Sequence, residues 1–133
     1  MKSLFTKVLF FGWLLLGVWG VRAQGTDQFS VVRTAIAGGS SRDLAQYLAP
    51  SVEVSFDGES QSYNANQTEL VMRTFFTKNA PSSFEIVHQG ASNDGIPYAV
   101  GRYVGRSGTY QVFLKLKPKR STPMIDTMNF TKE

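Results

Sequence analysis

The sequence predicts an α+β domain in which three helices cover one face of an antiparallel sheet. Two observations lead to this prediction. Apolar residues recur at helical spacing in three short segments before residue 81, and from Ser82 onward they recur at every second position. Four strands joined by short connections pair antiparallel, and helices gathered before them bury their apolar sides against one face of the sheet.

The first helix is predicted to begin at Asp27 and to end at Gly38–Gly39. Aspartate is a good N-terminal cap, and Phe29, Val32 and Ile36 follow it at helical spacing. Glycine pairs of this kind commonly stop a helix. The spacing therefore predicts an amphipathic helix over residues 27–37.

A second, shorter helix and a strand follow. Ser40 or Ser41 is the predicted cap of the helix, and Pro50 is its predicted end because proline cannot continue a helix. Apolar and polar residues then alternate, which is the period of a half-buried strand. The inward residues of that strand are predicted to be Val52, Val54 and Phe56. Asp57–Gly58 is predicted to form a turn.

The third helix is predicted to begin at Asn66 or Thr68 and to close at Asn79-Ala80-Pro81. Its predicted apolar side consists of Leu70, Val71, Phe75 and Phe76. The strands predicted after it are Ser83–Gln89, Pro97–Gly105, Thr109–Lys117 and Met124–Thr131. Arg106-Ser107-Gly108 is predicted to be a tight hairpin.

The first 23 residues have the organisation of a secretory signal peptide. A charged start is followed by the apolar run Val8–Val21 and by a small-residue exit ending at Ala23, so cleavage is expected between Ala23 and Gln24. The rival interpretation is a membrane anchor, but a run of 14 residues is shorter than the roughly 20 that a spanning helix needs. The domain prediction is therefore a signal peptide over 1–23 and a single domain over 24–133.

The absence of cysteine limits the fate of an exported chain. Without cysteine there is no disulfide framework, no thiolate metal site and no lipid attachment after the leader. The sequence predicts a periplasmic or extracellular domain that is not a lipoprotein. No metal site or cofactor is predicted.

The charge of the chain is uneven. The leader contains 3 of the 14 basic residues, so 11 face the 10 acidic ones in the rest of the chain, and nothing favours a nucleic-acid partner. Basic residues concentrate near the C-terminus, in Lys115, Lys117, Lys119 and Arg120. They are expected on the outer face of the sheet, either as a patch for an anionic partner or as a charged edge that discourages aggregation.

The element order and several phrases resemble the nuclear transport factor 2-like fold, which is shared by ketosteroid isomerase, SnoaL-type cyclases and scytalone dehydratase. The phrases are the first helix through Ile36, Asp43–Phe56, Asn66–Pro81 and Ser82–Gly90. More narrowly, the chain resembles a family of short secreted bacterial proteins that consist of one domain of unknown function. The resemblance implies a curved, cystatin-like sheet that wraps the helices as a cone, with a pocket at its open end in the enzymes.

Two polar residues are candidates for chemistry in such a pocket. His88 is expected on the same strand face as Phe84 and Ile86, and Asp126 is expected in phase with Met128. A carboxylate buried there would have a raised pKa and could serve as a general base, with Tyr98 or Tyr103 supplying a hydroxyl. The predicted pocket residues are Phe56, Phe76, His88, Tyr98, Asp126 and Met128. The plainer alternative is that the lone histidine is hydrogen-bonded or exposed.

These observations favour a non-catalytic domain that binds a small apolar ligand or a protein partner. Two alternatives stay open. One is an isomerase or dehydratase that uses Asp126 or His88, and the other is a structural module that forms a homodimer through the open face of the sheet. A deep pocket with an ordered carboxylate would favour the enzyme, whereas a filled cone would favour an interaction module.

Overall fold

The computed structural model describes residues 27–133, so the predicted leader and its cleavage site at Ala23 and Gln24 lie outside the described residues. The helices are α1 (Ser30–Ala37), α2 (Ser41–Ala45) and α3 (Ala65–Lys78). The strands are β1 (Leu48–Phe56), β2 (Glu59–Asn64), β3 (Pro81–Ala91), β4 (Pro97–Gly105), β5 (Gly108–Leu116) and β6 (Ile125–Lys132). No helix in this range is long and apolar enough to cross a bilayer.

The six strands form one curved, mixed sheet in the order β2-β1-β6-β5-β4-β3. The α+β class is confirmed, but the prediction of a purely antiparallel sheet is wrong. β1 and β6 run parallel, with Val54 opposite Met128 and Phe56 opposite Phe130. The first strand of the chain thus joins the last one, and this long-range pairing has no local signal in the sequence.

The edge strand β2 was not predicted. Its sequence, ESQSYN, has no apolar alternation, because five of its six side chains are exposed and Tyr63 is half-buried. It pairs antiparallel with β1 after the Asp57–Gly58 turn, in which both residues have positive φ. The Asp57 carboxylate accepts a hydrogen bond from the backbone N–H of Lys132 at 2.7 Å, which ties this turn to the end of β6.

The cap of helix α3 lies two residues before the first of its two predicted caps. Asn64 is the cap, because its side chain accepts from the backbone N–H of Gln67 at 2.8 Å and the Gln67 side chain accepts from Asn64 N–H at 3.0 Å. This reciprocal pair is a capping box, and it satisfies two backbone donors at the helix start. Asn66 and Thr68 lie inside the helix.

Pro50 lies in β1 rather than at the end of a helix. The second helix stops at Ala45, and the pairing of β1 with β6 shifts register between Leu48 and Glu53. Such an irregularity accommodates proline, which lacks the N–H that a regular ladder requires. The prediction that the helix ends at Pro50 is therefore wrong, because the helix is shorter and Pro50 belongs to the irregular first part of β1.

The three helices lie on one face of the sheet, here called the inner face. Helix α1 packs against β3, and α3 packs against β1 and α2. The Arg33 guanidinium of α1 donates to the Phe84 carbonyl of edge strand β3 at 3.3 Å, which covers part of that edge. The strands contribute these fully buried residues to the core: Ala49, Val52, Phe84, Ala99, Tyr103, Val112, Leu114, Leu116, Ile125, Met128 and Phe130.

A buried polar cluster fixes the β4–β5 hairpin to the end of α3. The Asn79 side-chain oxygen accepts from the Ser107 backbone N–H at 2.7 Å and from the Ser107 hydroxyl at 2.9 Å. The Tyr103 hydroxyl donates to the Asn79 carbonyl at 2.6 Å. Gly105 leaves room for this contact, because a Cβ there would lie 2.4 Å from the Asn79 oxygen.

Candidate functional site

Aromatic side chains occupy the space between α3 and the inner face. The ring of Phe75 lies with its centroid 5.4 Å from Phe56, 4.9 Å from Phe130, 5.3 Å from Tyr103 and 5.2 Å from Tyr110. Centroid separations of 4.5–7 Å are those of packed aromatic pairs. The part of the domain in which the resemblance implied a pocket is therefore filled by the protein's own side chains.

Two predicted pocket residues belong to this packed interior. Met128 is fully buried on β6 and Phe76 is almost so on α3, and both contribute to the hydrophobic core rather than to the wall of a cavity. Their assignment to a pocket is corrected for that reason. Phe56 is half-buried at the end of β1 and keeps a partly open position.

His88 and Tyr98 lie on the outer face, opposite to the helices. The pairing of β3 with β4 skips Val87, so Ile86 is opposite Gly101 and His88 is opposite Val100. One extra residue in a strand reverses the face of everything after it. The prediction that His88 shares a face with Phe84 and Ile86 is wrong for this reason.

The outer face carries an aromatic cluster around Tyr98. The Nε2 atom of His88 is 3.3 Å from the Tyr98 hydroxyl oxygen, and the Tyr98 ring stacks with Phe113 at a centroid distance of 6.1 Å. Tyr98 and Phe113 are half-buried, and His88 is exposed. His88 also lines an open depression at the β3 edge, beside Phe29 and Arg33 near α1.

Asp126 is the extra residue of a second bulge. Leu116 pairs with Ile125 and Lys115 with Thr127, so Asp126 has no partner across the strands. Its carboxylate accepts from the Thr127 hydroxyl at 3.0 Å and is half-buried. The predicted phase with Met128 is wrong, because Ile125 takes the buried position on that side of the bulge.

The four basic residues near the C-terminus do not form one strip on the sheet. Lys115 is on the outer face, opposite Tyr98 and Thr127. The others, Lys117, Lys119 and Arg120, are in the β5–β6 loop, where Lys119 has a φ of 59°. They lie near one end of the sheet, and an anionic partner for them stays a prediction.

A shallow apolar depression lies between α3 and the end of β1, and we call it the α3–β1 depression. Its volume is about 340 Å³, and its lining residues are Phe56, Val71, Thr74, Phe75 and Lys78. Sequence reasoning named only Phe56 among the pocket residues. The four helical residues lie at positions i, i+3, i+4 and i+7, so their spacing was the available signal.

Three other depressions among the described residues are more polar. One of about 430 Å³ is on the other side of Phe56, between β1 and β2, and it includes Glu59. Two more, of about 390 and 450 Å³, are near the start of α1 and the second half of β3. Within residues 27–133, no three His, Asp or Glu side chains come together as metal ligands would.

Tyr103 is the described residue with a clearly shifted pKa. Burial of its hydroxyl raises the pKa above the ordinary value of 10.0, and the nearby Tyr110 raises it further. The hydroxyl is used in the contact with Asn79, so it serves the packing of the interior.

Comparisons with known proteins agree with this architecture. The family described as domain of unknown function DUF4783 matches residues 29–131. A DUF4783 family protein from Bacteroides ovatus has 30% sequence identity and a TM-score of 0.73, over 78% of this chain and 94% of that one. No protein of curated function matches the sequence.

More distant structures share the fold alone. A nuclear transport factor 2-like protein of unknown function from Shewanella baltica has 10% identity and a TM-score of 0.60, over 79% of this chain and 87% of that one. A protein with a ketosteroid isomerase-like fold from Catenulispora acidiphila, solved with trimethylamine, has 10% identity and a TM-score of 0.61, over 79% and 84%. The predicted resemblance to this superfamily is confirmed.

Proposed function

Because the chain belongs to the DUF4783 family, whose description gives no activity, we propose its function from its own geometry: a non-catalytic domain that binds a small apolar ligand in the α3–β1 depression. The observation that carries this proposal is the lining of the depression. The exposed edges of Phe56, Val71 and Phe75 form its walls, and its volume falls within the range of ligand pockets. The predicted leader would direct this activity to the periplasm or to the outside of the cell.

The positions of the polar candidates favour binding over catalysis. His88 and Tyr98 are on the outer face, and Asp126, in a bulge of β6, is three strands away from His88 on β3 and two from Tyr98 on β4. The space between α3 and the inner face is filled with aromatic rings. An acid–base pair must reach one substrate within hydrogen-bond distance. Side chains separated in this way do not converge on a common reacting atom.

A charge placed in the depression is expected to weaken apolar binding strongly. Val71→Asp introduces a carboxylate into its wall, and burial of that charge against an apolar ligand is costly. We expect the affinity for N-phenyl-1-naphthylamine, a neutral fluorescent probe, to fall at least about tenfold, which corresponds to roughly 1.4 kcal/mol.

The neighbouring residue supplies the matched control. Leu70 is 55% exposed and lies outside the depression, so Leu70→Asp adds the same charge to the same helix without touching the site. Circular dichroism melts show whether both variants remain folded. Equal loss of probe binding in the two variants, or no binding by the unmodified protein, would contradict the proposal.

A second function, self-association through the outer face, is favoured by one row of residues. Glu53, Thr127, Lys115 and Tyr98 are neighbours across β1, β6, β5 and β4. Two copies could pack with their outer faces together, related by a two-fold axis that runs along the strands and passes over Thr127. Such an axis would bring Glu53 of one copy over Lys115 of the other. A twofold interface requires such self-complementarity.

Charge exchange tests this pairing directly. Sedimentation is expected to show a dimer that both Glu53→Lys and Lys115→Glu weaken by several fold, because each places like charges opposite one another. The double variant restores opposite charges and should regain the dimer. A monomer at all concentrations, or a double variant as weak as the single ones, would exclude this interface.

A further inference from the structure

Lys78 gives the α3–β1 depression a positive end. It is exposed in the last turn of α3 and belongs to the lining of the depression. The ion pairs within residues 27–133 are Glu69 with Arg73 at 3.0 Å and Arg102 with Glu133 at 3.6 Å. In this part of the chain Lys78 therefore has no carboxylate partner, and its ammonium is available to a ligand.

An acidic residue lines the neighbouring depression rather than this one. Glu59 lies in the polar depression between β1 and β2, and Phe56 is shared by both. The Phe56 ring stacks on Phe130 at a centroid distance of 5.2 Å, which holds it in place as the boundary between them. Lys78 is the charged residue among those that line the α3–β1 depression, so a ligand there would meet a cation rather than a carboxylate.

The cation and the apolar wall lie along one stripe of α3. Lys78, Thr74 and Val71 occupy successive turns, so the stripe is roughly 10 Å long at 1.5 Å per residue. Two carbonyls at this end of the helix already accept hydrogen bonds. The Phe75 carbonyl accepts from the backbone N–H of Asn79 at 2.9 Å, and the Lys78 carbonyl accepts from the Ser107 hydroxyl at 3.3 Å. The C-terminal end of a helix carries a partial negative charge, which repels an anion. Because these two carbonyls already accept hydrogen bonds, that repulsion is reduced.

We propose that the α3–β1 depression binds a single-chain anionic amphiphile, with its carboxylate on the Lys78 ammonium and its alkyl chain along Val71 and the rings of Phe56 and Phe75. This inference rests on the proposed function and adds the charge of the ligand to it. The apolar wall supplies most of the affinity, and the ion pair sets the orientation and the preference for an acid.

The test compares two probes of equal chain length, decanoate and decanol, as competitors of N-phenyl-1-naphthylamine at pH 8 and low salt. The protein is expected to bind decanoate about fivefold more tightly than decanol, as an exposed ion pair allows. Lys78→Met keeps the length and the apolar stem but removes the charge, and it should abolish the preference. Arg42→Met, which removes an exposed cation of α2 outside the depression, should retain it.

The outcomes separate the two proposals. Equal binding of decanoate and decanol by the unmodified protein, or a preference that survives Lys78→Met, would overturn the anionic ligand and leave apolar binding intact. Failure of the neutral dye to bind would overturn the proposed function itself. The inference is supported if the preference for decanoate over decanol is lost in Lys78→Met and kept in the control variant.

Discussion

Replacing Phe130 with alanine is expected to lower the free energy of unfolding by about 3–5 kcal/mol, the usual cost of removing a fully buried phenylalanine. Phe130 is fully buried, and its ring centroid is 4.9 Å from Phe75, 5.2 Å from Phe56 and 6.5 Å from Tyr110. Removal of the ring would leave a void and take packing partners from three other rings. Urea unfolding followed by circular dichroism measures this loss.

The size of this effect tests whether the interior is packed. Phe130→Leu retains much of the buried volume, so it should cost less than half as much as Phe130→Ala. If Phe130→Ala unfolds at the same urea concentration as the unmodified protein, the space between α3 and the sheet is not filled as described. A pocket in the interior would then return as a candidate site.

The Tyr103 hydroxyl is expected to make the protein sensitive to alkaline pH. Its pKa in the folded state lies above the unfolded value of 10.0, chiefly because the hydroxyl is buried. Below pH 10 both states keep the proton. Above pH 10 the unfolded chain releases it first, so stability falls as pH rises, by about 1.4 kcal/mol per unit from this one group.

The Tyr103→Phe variant removes that proton and its hydrogen bond together. At pH 7 it should be less stable by about 0.5–1.5 kcal/mol, because the Tyr103 hydroxyl no longer donates to the Asn79 carbonyl. Above pH 10 its stability should decline less steeply, so the two curves converge and then cross. Parallel stability curves between pH 8 and 11.5 would show that Tyr103 does not titrate on unfolding.

The regular elements could be predicted from the sequence wherever a local pattern existed. Strand β5 is an example, because Val112, Leu114 and Leu116 are buried at every second position and the residues between them are less buried, as the alternation predicts. Strand β2 could not be found in this way, since an exposed edge needs no apolar residue. The parallel pairing of β1 with β6 also has no local signal, because it joins segments about 75 residues apart.

The candidate site was predicted less well because two bulges reversed the strand phase. Simple alternation put His88 on the inner face, and Val87 and Asp126 each add one residue to a strand. Whether a strand bulges depends on the register that its neighbours require, so the sequence of β3 alone does not reveal it. Phe56 was the one predicted residue that remains at the proposed ligand site.

The sequence by itself determined the α+β class, the three helices found within residues 27–133 and the superfamily resemblance, and it predicted export. Local periodicity and capping chemistry are sufficient for the elements, because they depend on residues close together in the chain. Only the tertiary structure decided that the interior is filled, that His88 faces outward and that Lys78 lies beside Val71 and Phe56. Those properties depend on strand register and on the packing of α3 against β1, which are set by contacts between distant parts of the chain.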